Sequence, residues 1–420
     1  MLLNFKLANY KSFRDPVSFD LLADIGAEHE DKQILTFNGK RYKKTIVFYG
    51  ANANGKSNFI EALLFMKSIV MHSKAILPGE PLPYNPFFLD DVSVTKPTLL
   101  ELEFAYMDIR YRYSFSFNQT NILSESLYYA PNGNMVKVFV RQGQQIEGRS
   151  GMEQITSGNI TAPNKLFLAT AASFNNEPAN AVFNFFVTEL YYDRENTNFS
   201  VDPLVKTLDT QCYDAILEDP DYKVFLLSLL QAADFNIVDI DVQKTTLETA
   251  LPTGPGKQTF YKVFLAHDVG GVKKMLYIDY ESKGTKTLLY LSHLFYESFI
   301  SEKVFIVDEL ETSLHPSELS FLVRLFAEKS IKSQLFFTAH SPCILAEKLL
   351  RRDEYYFVDK TKEGVSQLYS LADFSVRKDT SFAKEYYLGR YGAVPLIKDG
   401  LVSCLPTSSL AALEATVLLH

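Results

Sequence analysis

Apolar and polar positions divide this chain into zones of different period. Near the N-terminus, residues 2–8 and 17–21 read as two short strands around a turn. Asn38-Gly39 marks a tight hairpin, because both residues tolerate the left-handed backbone it needs. Thr45-Ile46-Val47-Phe48-Tyr49 is a strand-like apolar run, and Phe59, Leu63, Met66 and Val70, with Ile60 and Leu64 beside them, recur at helical spacing. Pro78, Pro81, Pro83 and Pro86 then interrupt the pattern. Residues 99–106 and 111–117 alternate around Asp108, and 122–129 and 135–141 around Pro131-Asn132-Gly133-Asn134, which predicts two antiparallel hairpins. The polar stretch 142–165 reads as a loop and 166–235 as mainly helical; 237–242, 259–266 and 274–280 read as strands.

Past residue 280 the spacing tightens. Residues 285–300 carry Leu288, Leu291, Phe295 and Phe299 on one stripe; strands at 303–307, 334–338 and 355–358 alternate with helices at 316–329 and 342–350. Strands alternating with helices predict a mostly parallel sheet. No heptad run has the length of a coiled-coil arm, and there is no internal repeat. Residues after about 396 are weakly patterned, and 408–415 fit a short helix or a non-native tail equally.

Composition narrows the class. The 420 residues suffice for two or three lobes, and 47% hydrophobic with 22% charged content is ordinary for a soluble globular protein. A net charge of −8 argues against a general nucleic-acid surface. The basic run Lys40-Arg41-Tyr42-Lys43-Lys44 could still touch phosphate, a solvated hairpin tip being the simpler reading. Cys212, Cys343 and Cys404 have neither disulfide-framework nor zinc spacing, which suits a reducing cytoplasm. The start of the chain lacks a signal-peptide layout, and no apolar run approaches the roughly 20 residues that span a bilayer, so a membrane-spanning subunit is not expected.

Chemistry enters with Gly50-Ala51-Asn52-Ala53-Asn54-Gly55-Lys56-Ser57, a match to G-x-x-x-x-G-K-[ST], the P-loop, between a predicted strand and a predicted helix. Its backbone N–H groups and the helix N-terminus make a concave anion site. Lys56 can reach the β- and γ-phosphates and the Ser57 hydroxyl can ligate Mg²⁺; Asn58 completes the expected nucleotide contacts. Val304-Phe305-Ile306-Val307-Asp308-Glu309 is an apolar strand ending in two acids, a Walker B pattern, with Asp308 placed to hold Mg²⁺ and Glu309 to deprotonate water. Such a pair is weak alone and gains its meaning from the complete P-loop. Thr338-Ala339-His340-Ser341 ends a neighbouring strand, from which His340 can reach a γ-phosphate.

Two further stretches carry a resemblance. Glu281-Ser282-Lys283-Gly284-Thr285 resembles a divergent signature loop of ABC-type ATPases, and Glu311-Thr312-Ser313-Leu314-His315-Pro316 resembles their D-loop. The order of motifs is the ABC order, not that of ring-forming AAA motors. Asn9-Tyr10-Lys11-Ser12-Phe13 resembles the opening of RecF/SMC-like ABC ATPases. Within that AAA-family group, the signature loop with Leu288-Leu289, the run from Asp308 to Pro316, and Thr338–Ser341 are most similar to the overcoming-lysogenization-defect type and its abortive-infection relatives. Tyr387-Leu388-Gly389-Arg390-Tyr391-Gly392-Ala393-Val394-Pro395 resembles the abortive-infection members without a fused nuclease. The resemblance covers roughly 1–75 and 275–395.

It implies an α/β fold: an ABC-ATPase-type P-loop head with a mostly parallel core sheet, an antiparallel β subdomain and a mixed α/β insertion lobe. The expected division is 1–75 and 281–395 for the head, 76–280 for the insertion and 396–420 for a tail. It also implies ATP and Mg²⁺ as cofactors and an ATP-sandwich homodimer or larger oligomer. Ser282 and Gly284 of one subunit would complete the partner's site, with Lys11 and Ser12 near the nucleotide. The signature lacks the second glycine and the glutamine of the common form, so slow hydrolysis is expected. No Q-loop glutamine can be placed, and with no base-reading residue identifiable, GTP stays compatible. About 80 residues follow His340, too few for a Toprim nuclease domain, so the expected role is an anti-phage switch governing a separate nuclease or toxin. The alternatives are a RecF-like repair ATPase that binds DNA directly and a scaffold that binds ATP without turnover.

Overall fold

The computed structural model describes residues 1–395 except 27, 158–159, 193–207, 234–235, 252–253 and 378–379; the tail after 395 lies outside the described residues. The chain opens with β1 (Leu2–Ala8), β2 (Val17–Asp20), the hairpin β3 (Ile34–Phe37) and β4 (Lys40–Lys43), then β5 (Thr45–Tyr49) and helix α1 (Lys56–His72). Long strands β6 (Thr98–Tyr106), β7 (Ile109–Phe117), β8 (Ile122–Ala130) and β9 (Val136–Gln142) follow, with a short β10 (Gln145–Gly148). Helices α2 (Phe167–Ser173) and α3 (Glu177–Asn184) lead to β11 (Leu190–Tyr192). Helices α4 (Leu208–Glu218) and α5 (Pro220–Ala232) precede β12 (Ile237–Leu251), β13 (Gly254–Val269) and β14 (Val272–Tyr277). The last zone runs α6 (Lys283–Ile300), β15 (Val304–Val307), α7 (Pro316–Phe326), β16 (Gln334–Thr338), α8 (Cys343–Glu347), β17 (Tyr355–Lys360), β18 (Ser366–Ser370) and α9 (Phe382–Tyr387).

The core sheet has the order β11-β15-β16-β5-β17-β18. Every neighbouring pair is parallel except β17 with β18. Its central strands are buried at every position, as expected where both faces are covered. Alternate side chains feed opposite layers: Ile46, Phe48, Val304, Ile306 and Phe336 pack on one side, and Val47, Tyr49, Phe305, Val307, Leu335 and Phe337 on the other. The first layer holds α1, pressed between this sheet and an antiparallel one ordered β10-β9-β8-β7-β6-β1-β2. That sandwich explains why Phe65 and Ile69 are buried along with the predicted stripe Phe59, Leu63, Met66 and Val70. Phe59 meets Phe5, Phe19 and Phe48, joining both sheets through the helix that follows the P-loop. Strands β12–β14 form a separate antiparallel sheet.

The hairpin tips follow the turn chemistry. Asn38 and Gly39 (φ 48° and 71°), and Met107 and Asp108 (φ 49° and 58°), all take the left-handed backbone, which suits two-residue turns between right-twisted strands.

Elsewhere the structure departs from the expectations. The stretch 142–165 contains β10 and a helical turn at Glu153–Thr156. The helical zone breaks where Phe185–Glu189 winds as a wide turn and β11 joins the sheet edge. β12 and β13 run far past their predicted limits, and β18 was not anticipated. The basic run is a solvated tip only at Lys40 and Arg41: Lys43 and Lys44 are buried. Lys43 Nζ donates to the Asp20 carbonyl and the Tyr356 hydroxyl (both 2.9 Å), and Lys44 Nζ to the Glu328 carbonyl (2.8 Å). Their long apolar stems make such burial tolerable once the ammonium is paired. Among the described residues no helix is long and apolar enough to cross a membrane.

Candidate active site

Three adjacent parallel strands bring the three sequence motifs to one edge. β15, β16 and β5 lie side by side, with Val307 level with Phe337, and Phe337 level with Val47. Asp308-Glu309, Thr338-Ala339-His340 and the P-loop therefore leave the sheet together at its carboxyl edge, where ligands of α/β sheets bind.

The P-loop turns from β5 into α1 with no room for side chains at its two glycines. A Cβ on Gly50 would sit 2.4 Å from the Val358 carbonyl oxygen. One on Gly55 (φ +111°) would sit 2.4 Å from Ser366 Oγ and 2.7 Å from Ser12 Oγ. Gly55 is the N-cap of α1, whose start has no side-chain cap and no acid in its first turn, so the uncapped N–H groups and helix dipole favour an anion. Asn52 and Ala53 are exposed, Ala51, Asn54, Ser57 and Asn58 half-buried. Ser12 braces the loop from behind: it accepts from Asn58 Nδ2 (2.7 Å), and its carbonyl accepts the Ser366 N–H (2.7 Å). Ser366 in turn donates to the Asn54 carbonyl (2.5 Å), and the Asn54 amide donates to Asp359 Oδ1 (3.1 Å). Lys11 pairs with Glu61 on α1.

Lys56 is buried, and its Nζ donates to the carbonyls of Gly50 (2.7 Å) and Ala51 (3.3 Å). Burial pushes its pKa below the ordinary amine range, while Asp308, Glu309 and Glu311 pull it back. The cation and the strand-tip acids thus share one field. Thr338 organises those acids: its hydroxyl donates to Asp308 Oδ1 and accepts the Glu309 N–H, both at 2.6 Å. Glu309 holds a left-handed backbone (φ 54°), and its Oε1 lies 3.9 Å from His340 Nε2. Burial and Lys56 lower the His340 pKa below the usual imidazole value, so near neutrality it is uncharged, with one N–H to donate.

Ser282 and Gly284 sit elsewhere on the chain's own surface. Ser282 caps α6, its Oγ accepting the Thr285 N–H (3.0 Å). A Cβ on Gly284 would meet the Ser313 carbonyl at 2.9 Å, and no P-loop atom lies within 4 Å of it. The D-loop-like turn and the signature-like loop therefore touch within one subunit. His315 caps α7, its ring accepting the Ser317 N–H (3.2 Å). Thr338 and Ser366 were missed as site residues. A polar residue ending a strand beside two acids could have pointed to Thr338; Ser366 had no such signal.

The oxygen donors fit Mg²⁺. Ser57 and Asp308 offer hard oxygen donors, and Thr338 engages only Oδ1 of Asp308. Among the described residues no cluster of three His, Cys, Asp or Glu could hold a metal by itself. A Mg²⁺ ion that keeps waters and binds phosphates needs no such cluster.

A family model described as "AAA domain, putative AbiEii toxin, Type IV TA system" matches residues 46–134 and 179–346, well over half of the chain. The chain belongs to this family. The matched parts take in the P-loop, Asp308, Glu309 and His340, which makes it an AAA-family ATPase by class. No curated protein matches it. Solved structures similar to this AAA-domain chain include an SMC head domain from Thermotoga maritima (13% identity, TM-score 0.41, 88% of this chain and 98% of that one). Others are an SmcHead bound to the C-winged helix domain of ScpA (14%, 0.42, 88% and 97%) and a Pyrococcus furiosus Smc head domain with an extended coiled coil bound to the C-terminal domain of ScpA (14%, 0.41, 93% and 98%).

Proposed function

We propose that this chain is a Mg²⁺-dependent ATPase that works as a nucleotide-controlled switch in an ATP-sandwich homodimer. The observation that carries the reading is the convergence of Lys56, Asp308-Glu309 and His340 on three neighbouring strand ends. In this reading the P-loop amides and Lys56 bind the triphosphate. Ser57 and Asp308 hold Mg²⁺, which supplies charge neutralisation at the β- and γ-phosphates. Glu309 accepts a proton from the attacking water. His340, uncharged and a donor, hydrogen-bonds the γ-phosphate and loses that bond on hydrolysis. Ser282 and Gly284, at the start of α6 against the 309–314 turn, serve the opposite subunit's nucleotide.

The output is the regulation of a separate effector, a nuclease or toxin, in cytoplasmic anti-phage defence. Support comes from the family description, which names a toxin–antitoxin system, and from the resemblance to the overcoming-lysogenization-defect and abortive-infection group. The basic run that would have served a DNA-binding reading is partly consumed inside the fold, with Lys43 and Lys44 buried. The test is twofold. Purified protein should hydrolyse ATP only with Mg²⁺, and neither Lys56→Ala nor Glu309→Gln should turn over. The tagged chain, expressed with its native neighbouring genes, should retain or release a stoichiometric protein partner according to nucleotide. DNA removable by salt, with no protein partner, would instead support the repair reading.

A further inference from the structure

Glu311 lies two residues past Glu309 in the turn that leaves β15, and the proposed reaction assigns it no task. Its Oε1 accepts two backbone N–H groups from the next strand's tip, those of His340 and of Ser341 (3.3 Å for the latter). The Ser341 carbonyl accepts the Tyr49 hydroxyl (3.0 Å). The backbone of His340 and Ser341 is therefore held from the Walker B side by Glu311 and from the P-loop strand by Tyr49. The second carboxylate oxygen of Glu311 is buried without a hydrogen-bond partner. Desolvation raises the pKa of this acid, and the two N–H groups and Lys56 oppose the rise. A buried carboxylate oxygen without a partner is unfavourable for stability even on a half-buried side chain, so a strand cap alone is a poor account of Glu311.

The surrounding turn gives the better reason. Glu309 and Ser313 both hold left-handed backbone (φ 54° and 65°), and the turn closes through Thr312 N–H to the Glu309 carbonyl (2.8 Å) and Leu314 N–H to the Glu311 carbonyl (2.9 Å). One end of this turn carries the candidate base, and the Ser313 carbonyl lies against Gly284 at the start of α6. Glu311 is its side-chain tie to the histidine strand. We propose that Glu311 is a positioning residue: by clamping the His340–Ser341 backbone to the 309–314 turn, it holds the imidazole opposite Glu309 and makes base and histidine move as one unit. This rests on the hydrolysis reading above. Shifts of about 1 Å at a reacting centre are enough to change rates by about 10²-fold.

The experiment compares wild type, Glu311→Ala, Glu311→Gln, His340→Ala and the Glu311→Ala/His340→Ala double variant. ATP turnover and ATP affinity are measured separately, and amide hydrogen exchange is read over residues 338–345. The amide oxygen of Gln can still accept both N–H groups. The clamp thus predicts near-wild-type turnover for Glu311→Gln and a loss of about 10- to 100-fold for Glu311→Ala. ATP affinity should stay within about threefold, and the double variant should be no slower than the slower single variant. Exchange at His340 and Ser341 should accelerate in Glu311→Ala and not in Glu311→Gln. Equal losses in Glu311→Ala and Glu311→Gln would overturn the clamp, as would losses that multiply in the double variant. A wild type that turns over, is slowed by His340→Ala and is indifferent to Glu311→Ala would sink the clamp alone. A wild type that binds ATP without turnover would sink the hydrolysis reading and, with it, any positioning role.

Discussion

Thr338 offers the sharpest single-residue test of the site, because one hydroxyl serves both acids. Replacing it with valine keeps the branched shape that suits a buried strand end and removes only the polar group. Two interactions go: the Glu309 N–H loses its 2.6 Å acceptor and Asp308 loses a 2.6 Å donor. An orphaned N–H costs about 1–3 kcal/mol and a hydrogen bond to a charged group contributes about 1.5–3 kcal/mol. Both acids are only part-buried, so water recovers some of each, and a net loss of about 2–3 kcal/mol is expected. Function should suffer more than stability, since Asp308 and the Glu309 backbone are both released. Turnover should fall about 10- to 100-fold, as for other groups that orient metal ligands. Urea unfolding and steady-state ATPase assays on Thr338→Val and Thr338→Ser measure both effects. Serine keeps the hydroxyl and should restore most of the activity. A valine variant with unchanged turnover would refute the claim that this hydroxyl sets the acids.

Two further outcomes follow from packing and charge. Gly50→Ala would place a Cβ 2.4 Å from the Val358 carbonyl; strand β17 or the loop must yield, at about 1–3 kcal/mol, and equilibrium dialysis should show ATP binding lost. Glu354 is fully buried, and burial pushes its carboxyl up to about 8. Its folded pKa exceeds the unfolded value, so its contribution is fully present below about pH 4.5 and is lost as pH rises through 8. Between pH 5 and 8 wild type should weaken relative to Glu354→Gln, which cannot ionise, by on the order of 3 kcal/mol; parallel unfolding curves at the two pH values would refute this.

The residues of the candidate site stood out because each sits where a pattern changes. Asp308, Glu309 and His340 end continuous apolar runs, and the P-loop lies between an apolar strand run and a period-3.6 segment. Their meeting follows from parallel strands ending at one edge. Pairings made at long range were not legible. β11 has three residues at the end of a helical pattern, and β18 five, of which Ser366 reaches back 312 positions to the Asn54 carbonyl. Neither carries enough period to declare itself. The buried Lys43 and Lys44 show the limit of reading charge as exposure: the hairpin turn at Asn38-Gly39 was visible, but the carbonyls that receive the ammonium groups come from distant segments.

The measurement that bears most directly on the central claim is the solution mass of Glu309→Gln with and without Mg-ATP, by light scattering. Without its base the site should bind ATP and stall, so the account predicts a stable species of twice the chain mass that appears only with Mg-ATP and disperses when the nucleotide is removed. A mass indifferent to nucleotide, in a variant shown by dialysis to bind ATP, would contradict it.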